Sequence, residues 1–516
     1  MKKNYLSLIL TLVLINTHAQ QIDENASTTS ISFTHEEGYT NNTRVNDLAD
    51  FVATSSNTFG QTIGNSGAGS NYHRITVKRQ YQRHQKNLAI TGDVGEIITL
   101  KMKFKFNGTM VADNEIFSLG LKSVFDSSNT QTYLNGVDSE TGEVDPGVRN
   151  GEVISIFNNS ENNLEIRYKT DFETALYSTT DWKYLTIKFF IGNTLANSVI
   201  KAKLDNGDIT SGWVDQSWQS QLLYDAIVGD GAYMIFASNT ALGTDNSANH
   251  LYIDQYDFTI DNDNGKVFLG GEAGFVDASS WSTGTPPTNS DRLFIFNKSP
   301  NLNNASNNFE YSYMYLDLLS NVSVTSVNNL ILNDLDVEGT LNILEGPNAV
   351  SINNDLSVSS YVVTTQEGED ENGDPIYVTY STDLSISSGS SLVVSGSSSG
   401  NVKYKRQLTV DESQDDWFGI TSPVHGQDIE TFLDRHVPAS GSGSNIGLTN
   451  SYAAFTNQWT YYTSSDEDMG NFVTGKGYYF RPSDQTQNVD VYFEGTIRSS
   501  AANRTLNTSG YSSDGG

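Results

Sequence analysis

The stretch GEIITLKMKFKFNG, Gly95 to Gly108, puts Ile98, Leu100, Met102, Phe104 and Phe106 on one parity and Thr99, Lys101, Lys103 and Lys105 on the other. Alternation of this kind buries one face of an extended strand and wets the other, and it does not fit the 3.6-residue period of a helix. The signal returns in NLEIRYK (Asn163 to Lys169), YLTIKFFIG (Tyr184 to Gly192), AYMIFASN (Ala232 to Asn239) and LYIDQYDFTI (Leu251 to Ile260). Short alternating strands with polar turns between them predict an antiparallel sandwich from Ile31 to Ile260. In this part only SWQSQLLYDAIV, Ser217 to Val228, reads as helical.

The chain has 516 residues, room for about three domains at roughly 100–200 residues each. Its first residues, MKKNYLSLILTLVLINTHAQ, combine Lys2 and Lys3 with an apolar run and small residues at Thr17 and Ala19. That is the pattern of a secretory signal cut after Ala19, too short for a stable membrane anchor. The expected location is secreted or on the outer cell surface, with no membrane insertion. The formal charge is −31, and loss of Lys2 and Lys3 makes it −31 − 2 = −33. Such a surface repels nucleic acid and favours divalent cations. There is no cysteine, so disulfides, thiolate metal sites and cysteine nucleophiles are excluded.

Between Asp261 and Gly274 the chain turns rich in Gly, Asn and Asp, and WSTGTPPTNSDRLFIF follows at Trp281 to Phe296. Beyond it a motif recurs: NDLDV at Asn333 to Val337, NDLSV at Asn354 to Val358 and TDLSI at Thr382 to Ile386. The first two copies stand 21 residues apart and the third follows after 28, with the acidic hairpin TTQEGEDENGDPIYVTY (Thr364 to Tyr380) between. A period near 20 with Leu and Val at alternate positions fits stacked β-coils. The three copies are expected to be courses of one wall, each aspartate bonding backbone N–H groups in its turn, rather than repeated calcium ligands. From Asn401 aromatic β-segments take over: NVKYKRQL, FTNQWTYYT, FVTGKGYYFRP and VYFEGTIRS.

Three resemblances follow. ISFTHEEGYTN and LYIDQYDFTI resemble the first and last strands of laminin-G-like or concanavalin-like jelly rolls, a fold of lectins, carbohydrate-binding modules and some polysaccharide-cleaving enzymes. The Trp281 turn resembles one that opens β-solenoids in large secreted Bacteroidetes proteins. The segments after Asn401 resemble the β-module preceding the sorting domain of type IX secretion cargo, and on that resemblance the chain stops at Gly516 short of its sorting domain. The expected fold is all-β: a signal peptide at 1–19, an N-terminal antiparallel jelly-roll sandwich at 20–264, a short central β-solenoid at 265–400 and an incomplete C-terminal β-sandwich-like module at 401–516.

Chemistry has few footholds. Glycoside hydrolysis usually needs two carboxyl groups about 5–9.5 Å apart, and Glu143 and Asp145 in GEVDPG lie in a turn with no third acid in register. The stretch HRITVKRQYQRHQK, His73 to Lys86, concentrates Arg74, Lys78, Arg79, Arg83 and Lys86 in an acidic chain. If it runs extended, Arg79, Tyr81 and Arg83 share a face that can hold a carboxylate or sulfate while the ring stacks on a sugar. A polar outer strand is the plainer reading, and a lyase with Tyr81 or His84 as base is a third. Trp182 is expected in the core, whereas Trp213, after a turn, is a candidate sugar platform. The jelly-roll resemblance implies a structural calcium joining Glu36 or Glu37 near the first strand to Asp254 or Asp257 in the last. Ser422, His425 and Asp428 read as loop, too local for a triad. The leading expectation is a non-enzymatic protein that binds polysaccharide or cell-surface glycan; the alternatives are a polysaccharide lyase or glycoside hydrolase, and a surface adhesin.

Overall fold

The alternating stretch folds as the strand Ile97–Asn107, and Ile98, Leu100, Met102 and Phe104 on its inward parity are buried. The structure, a computed structural model, describes residues 28–34, 51–53, 61–65, 71–76, 82–86, 90–107, 114–122, 153–158, 164–167, 172–174, 182–205, 214–216, 221–238, 250–261, 265–270, 274–303, 309–325, 329–344, 348–359, 362–369, 375–388, 390–409, 417–439, 445–453, 458–463, 468–473, 476–483 and 487–497, some strands by backbone alone. The chain divides into two units, Met1–Gly265 and Lys266–Gly516. Among the described residues no helix is long and apolar enough to cross a membrane.

The first unit is an antiparallel jelly-roll sandwich. One sheet runs Val214–Gln216, Val199–Asp205, Lys183–Phe190, Ile97–Asn107, His250–Asp261, Asn71–Thr76 and Gln61–Asn65, with Thr28–Thr34 also on His250–Asp261. The other runs Phe172–Thr174, Leu164–Arg167, Val153–Asn158, Asn114–Lys122, Tyr233–Ser238, Gln82–Lys86 and Phe51–Ala53. Register aligns Leu100 with Ile187 and Phe258, while Leu119, Leu121 and Ile156 supply buried residues from the second sheet. Each such side chain stabilises by roughly 1.5–3 kcal/mol over its exposed state. The expected helix is present as Gln221–Ile227, which buries Leu223, Tyr224 and Ile227.

The second unit begins with the Trp281 turn. The Trp281 indole N–H donates to the Phe275 carbonyl at 2.8 Å. Lys266 forms a buried ion pair with Asp291 at 3.0 Å and donates to Thr285 Oγ1 and the Pro286 carbonyl, so one ammonium fixes the Thr-Pro-Pro bend. Parallel coils then stack on this start. Phe309–Leu316 pairs with Leu330–Val337, which pairs with Ala349–Ile352 and Leu356–Val358; Asn321–Val324, Thr340–Ile343 and Asp383–Ile386 form the facing wall. Inward Leu332, Leu335, Leu341, Val350 and Leu384 are inaccessible to solvent. The acidic insertion is an antiparallel pair, Val362–Glu369 with Pro375–Ser381.

The repeated motif corrects one expectation. The first two copies do stack, Leu335 on Leu356 and Val337 on Val358. The third lies in the other wall, with Asp383 beside Thr340 and Leu384 beside Leu341, because each coil has more than one strand and the hairpin precedes its last. The aspartates differ accordingly. Asp334 Oδ1 accepts from the Asp355 amide at 3.1 Å, and Asp355 Oδ1 accepts from the Ser397 amide at 3.0 Å and hydroxyl at 2.6 Å. They therefore bond the next coil, not their own turn, and the Ser397 bonds hold the Asp355 carboxyl below the usual range. Half-buried Asp383 is shifted upward by desolvation. Among the described residues no group of three or more His, Cys, Asp or Glu could hold a metal.

The strand Val402–Leu408 continues the solenoid, Ser385 beside Lys403, and also pairs antiparallel with Val489–Gly495. Val402 belongs to the solenoid core and Leu408 to the next one, where Phe432, Phe472, Phe480 and Phe493 pack. There Asp428 caps the helix Ile429–Arg435 through the Thr431 amide. Buried Ser422 donates to the Val424 carbonyl at 2.8 Å and the His425 backbone pairs with Thr496, so Ser422 and Asp428 are spent on local structure and His425 is placed by its backbone.

Two predictions follow from packing. A Cβ at Gly339 would lie 2.0 Å from the Asp317 carbonyl oxygen and 2.6 Å from that of Ser320, so Gly339→Ala is expected to destabilise the second unit by about 3 kcal/mol, read as a lowered urea midpoint. His436, buried, accepts the Tyr492 amide at 2.9 Å, and burial pushes its pKa down. Its contribution to stability is thus complete above about pH 6.5, the unfolded value, and is lost as pH falls from there towards the lower folded value. Urea midpoints at falling pH should drop less in His436→Asn than in the wild type; an equal drop would refute this assignment.

Candidate functional site

The polar parity of Ile97–Asn107 becomes the outward face of its sheet. Register lines up Lys103 with Tyr184 and Gln255, Lys101 with Thr186 and Asp257, and Thr99 with Lys188 and Thr259. One strand further, Lys203 lies beside Thr186, Lys201 beside Lys188 and Asp205 beside Tyr184. Six of the 30 Lys and Arg residues, Lys101, Lys103, Lys105, Lys188, Lys201 and Lys203, therefore occupy one face of one sheet. Lys201 and Lys203 are buried, whereas Lys101, Lys103, Lys105 and Lys188 are partly accessible and Tyr184 is exposed.

Trp182 completes this face. It stands just ahead of Lys183–Phe190, and it is half-buried instead of lying in the core as expected. Lys103 Nζ lies 4.8 Å and Lys105 Nζ 4.6 Å from its ring centroid. An ammonium over an indole is worth about 0.5–1 kcal/mol at an accessible site, enough to hold two cations at one aromatic plate. Chemically the group offers two N–H-rich cations, an indole and the Tyr184 phenol side by side. That set can grip an anionic group and an apolar ring face together.

The candidates read from sequence fall in several places. Asn71–Thr76 and Gln82–Lys86 belong to different sheets, so the basic stretch is not one extended strand; the chain changes sheets between them. Arg74 pairs with Tyr252, which pairs with Lys105, so its register position is on the lysine face. Arg83 sits opposite Ala237 in the other sheet, one residue out of phase with buried Leu119, which places it on that sheet's outward side. Arg79, Tyr81, Trp213, Glu36 and Glu37 lie outside the described residues, as does the leader. Asp257 stands between Lys101 and Ser32, and Asp254 falls at a register shift. The first strand ends with Thr34 opposite Gln255, the neighbour of Asp254. Lys103, Lys105 and Trp182 were missed as a site because the lysines read as the wet side of a strand; the signal was their alternation with bulky apolar residues in a strongly acidic chain.

No family profile and no curated protein sequence matches the chain. Solved structures do. Arcelin-5, a lectin-like defense protein from Phaseolus vulgaris, is 11% identical with a TM-score of 0.29, covering 45% of this chain and 98% of its own. Lectin I from Ulex europaeus, in complex with the methyl glycoside of α-L-fucose, is 8% identical with a TM-score of 0.30 over 45% and 98%. A carbohydrate esterase from the Shiga toxin-encoding bacteriophage phi24B is 12% identical with a TM-score of 0.28 over 45% and 97%. At this level of similarity neither ligand nor activity transfers.

Proposed function

We propose that the first unit is a non-catalytic glycan-binding module for polysaccharides that carry carboxylate or sulfate groups. The observation that carries this reading is Trp182 beside both Lys103 and Lys105 on a face that also bears Lys101 and Lys188. The anion takes the ammonium groups while the indole and Tyr184 stack on the sugar ring. The net charge of −31 does not oppose this at close range, because at physiological ionic strength charges beyond about 8 Å are largely screened. Arg79, Tyr81 and Trp213 stay within the proposal as further ligand contacts, whereas Arg83, in the other sheet, is not part of this face. The Lys2 to Ala19 leader supports export to the medium or outer surface, and the resemblance after Trp281 supports a Bacteroidetes-type secretion cargo. In that setting the solenoid and last module serve as a spacer.

The test is retention of the full chain on immobilised neutral, carboxylated and sulfated polysaccharides. Replacing both Lys103 and Lys105 by Gln is expected to weaken anionic binding at least about tenfold, and raising salt from physiological strength should weaken the wild type. Retention unaffected by the double substitution would remove this face as the site. Release of new reducing ends from any of these polysaccharides would overturn the non-catalytic reading.

A structural calcium belongs to the same proposal, held by Glu36 or Glu37 with Asp254 or Asp257. The support is the pairing that brings Thr34 beside Gln255. Saturating calcium is expected to raise the melting temperature of the chelated protein by roughly 5 °C, and Asp254→Asn should abolish the rise. Superimposable melting curves with EDTA and with calcium would remove the metal.

A further inference from the structure

The last part of the chain carries an aromatic face that the first unit's site does not involve. Its four-stranded sheet runs Phe418–Ile420, Tyr478–Phe480, Asn445–Ala453 and Gln458–Thr463. One face is core: Ile420, Leu448, Tyr478 and Phe480 are buried there. The opposite face is a row in register, Gly419 beside Tyr479, Tyr479 beside Thr449 and Thr449 beside Tyr461. Trp417, two residues before Gly419, shares its parity, and its ring lies 5.8 Å from that of Tyr461 at 56°. Trp417 immediately precedes one edge strand and Tyr461 lies in the opposite one, so their rings meet across the row, and Thr449 is buried.

Three features make this a binding face. Trp417 and Tyr479 remain 38% and 44% exposed, large aromatic surface left in water. Among the described residues a Cβ at Gly419 would meet only Tyr479 Cε1, at 3.9 Å, so these residues leave open space beside that ring. The Trp417 indole N–H and the Tyr461 hydroxyl make no hydrogen bond among the described residues, and Arg406 spends one donor, Nη1 to the Gly419 carbonyl at 3.0 Å. Arg406 is itself exposed, at the free edge of the strand that carries Gly419. Rings with an open slot, unspent neutral donors and a guanidinium at the rim match a pyranose bearing a carboxylate: C–H groups against the rings, hydroxyls on the donors, carboxylate on the fork. A stable protein partner would need about 800 Å² of contact on this side with a well-packed apolar centre, and three rings around a glycine slot do not supply it.

We propose that this face is a second carbohydrate site, specific for polysaccharides of uronic acid. The test is calorimetric titration of the full chain with a galacturonate oligosaccharide. The wild type is expected to bind at two sites per chain. Trp417→Ala and Gly419→Leu should each remove one, the second by filling the slot while every ring stays in place. Arg406→Gln should weaken that site about tenfold. Two sites persisting in both Trp417→Ala and Gly419→Leu, with urea midpoints unchanged, would overturn the proposal, as would equal affinity of this site for a neutral cello-oligosaccharide. The reading of the first unit fails separately: if Lys103→Gln with Lys105→Gln leaves the stoichiometry unchanged while Trp417→Ala lowers it, the sandwich face is not a site and this one stands.

Discussion

Successive side chains on an extended backbone point to opposite sides, and both units depend on that alternation. In Ile97–Asn107 it makes the core and the cationic face two sides of one object. Ile98, Leu100, Met102 and Phe104 can be buried only if Lys101, Lys103 and Lys105 face out. A slip of one residue would exchange them, so the apolar packing that stabilises the sandwich also fixes where the ammonium groups stand. In the solenoid the same rule fills the interior with Leu332, Leu335, Leu341 and their stacked partners. There it leaves Asp334, Asp355 and Ser397 to tie one coil to the next.

Electrostatics in this acidic chain is local. Six lysines gather on one sheet face, and the buried pair Lys266 and Asp291 sits at the start of the solenoid. That pair is costly to desolvate, and it persists because Thr285, Pro286 and the Thr288 amide satisfy its remaining hydrogen-bonding capacity. His436 shows the opposite solution, burial in the neutral state with an amide as partner.

What sequence disclosed was periodicity, and with it most of the architecture. The strands around Leu100, Ile187 and Phe258, the acidic hairpin, the coil spacing and the helix near Leu223 could all be read from patterns within a single segment. Long-range pairing could not. Trp182 reads as core until Lys183–Phe190 is placed beside Ile97–Asn107, which alone brings two ammonium groups to its ring. The basic stretch reads as one strand until Asn71–Thr76 and Gln82–Lys86 are seen in separate sheets. TDLSI looks like a third course until its partner proves to be Thr340–Ile343. Each of these depends on which distant strand is the neighbour, and that is decided by the sum of packing over a sheet, not by any local motif.

The strand Val402–Leu408 has a consequence for how such a chain can be taken apart. Its start closes the solenoid core and its end enters the next, so no linker separates the two. A recombination break between Gly400 and Asn401 would leave Asp383–Ile386 as a raw parallel edge and strip the start of Val402–Leu408 of that same partner, while Val489–Gly495 would keep its pairing with Val402–Leu408. Both fragments would then expose a strand edge inviting aggregation. The unit that evolution can shuffle intact therefore runs through this strand, and a pulling force on the last module would be carried into the coils by hydrogen bonds in shear instead of by a flexible tether.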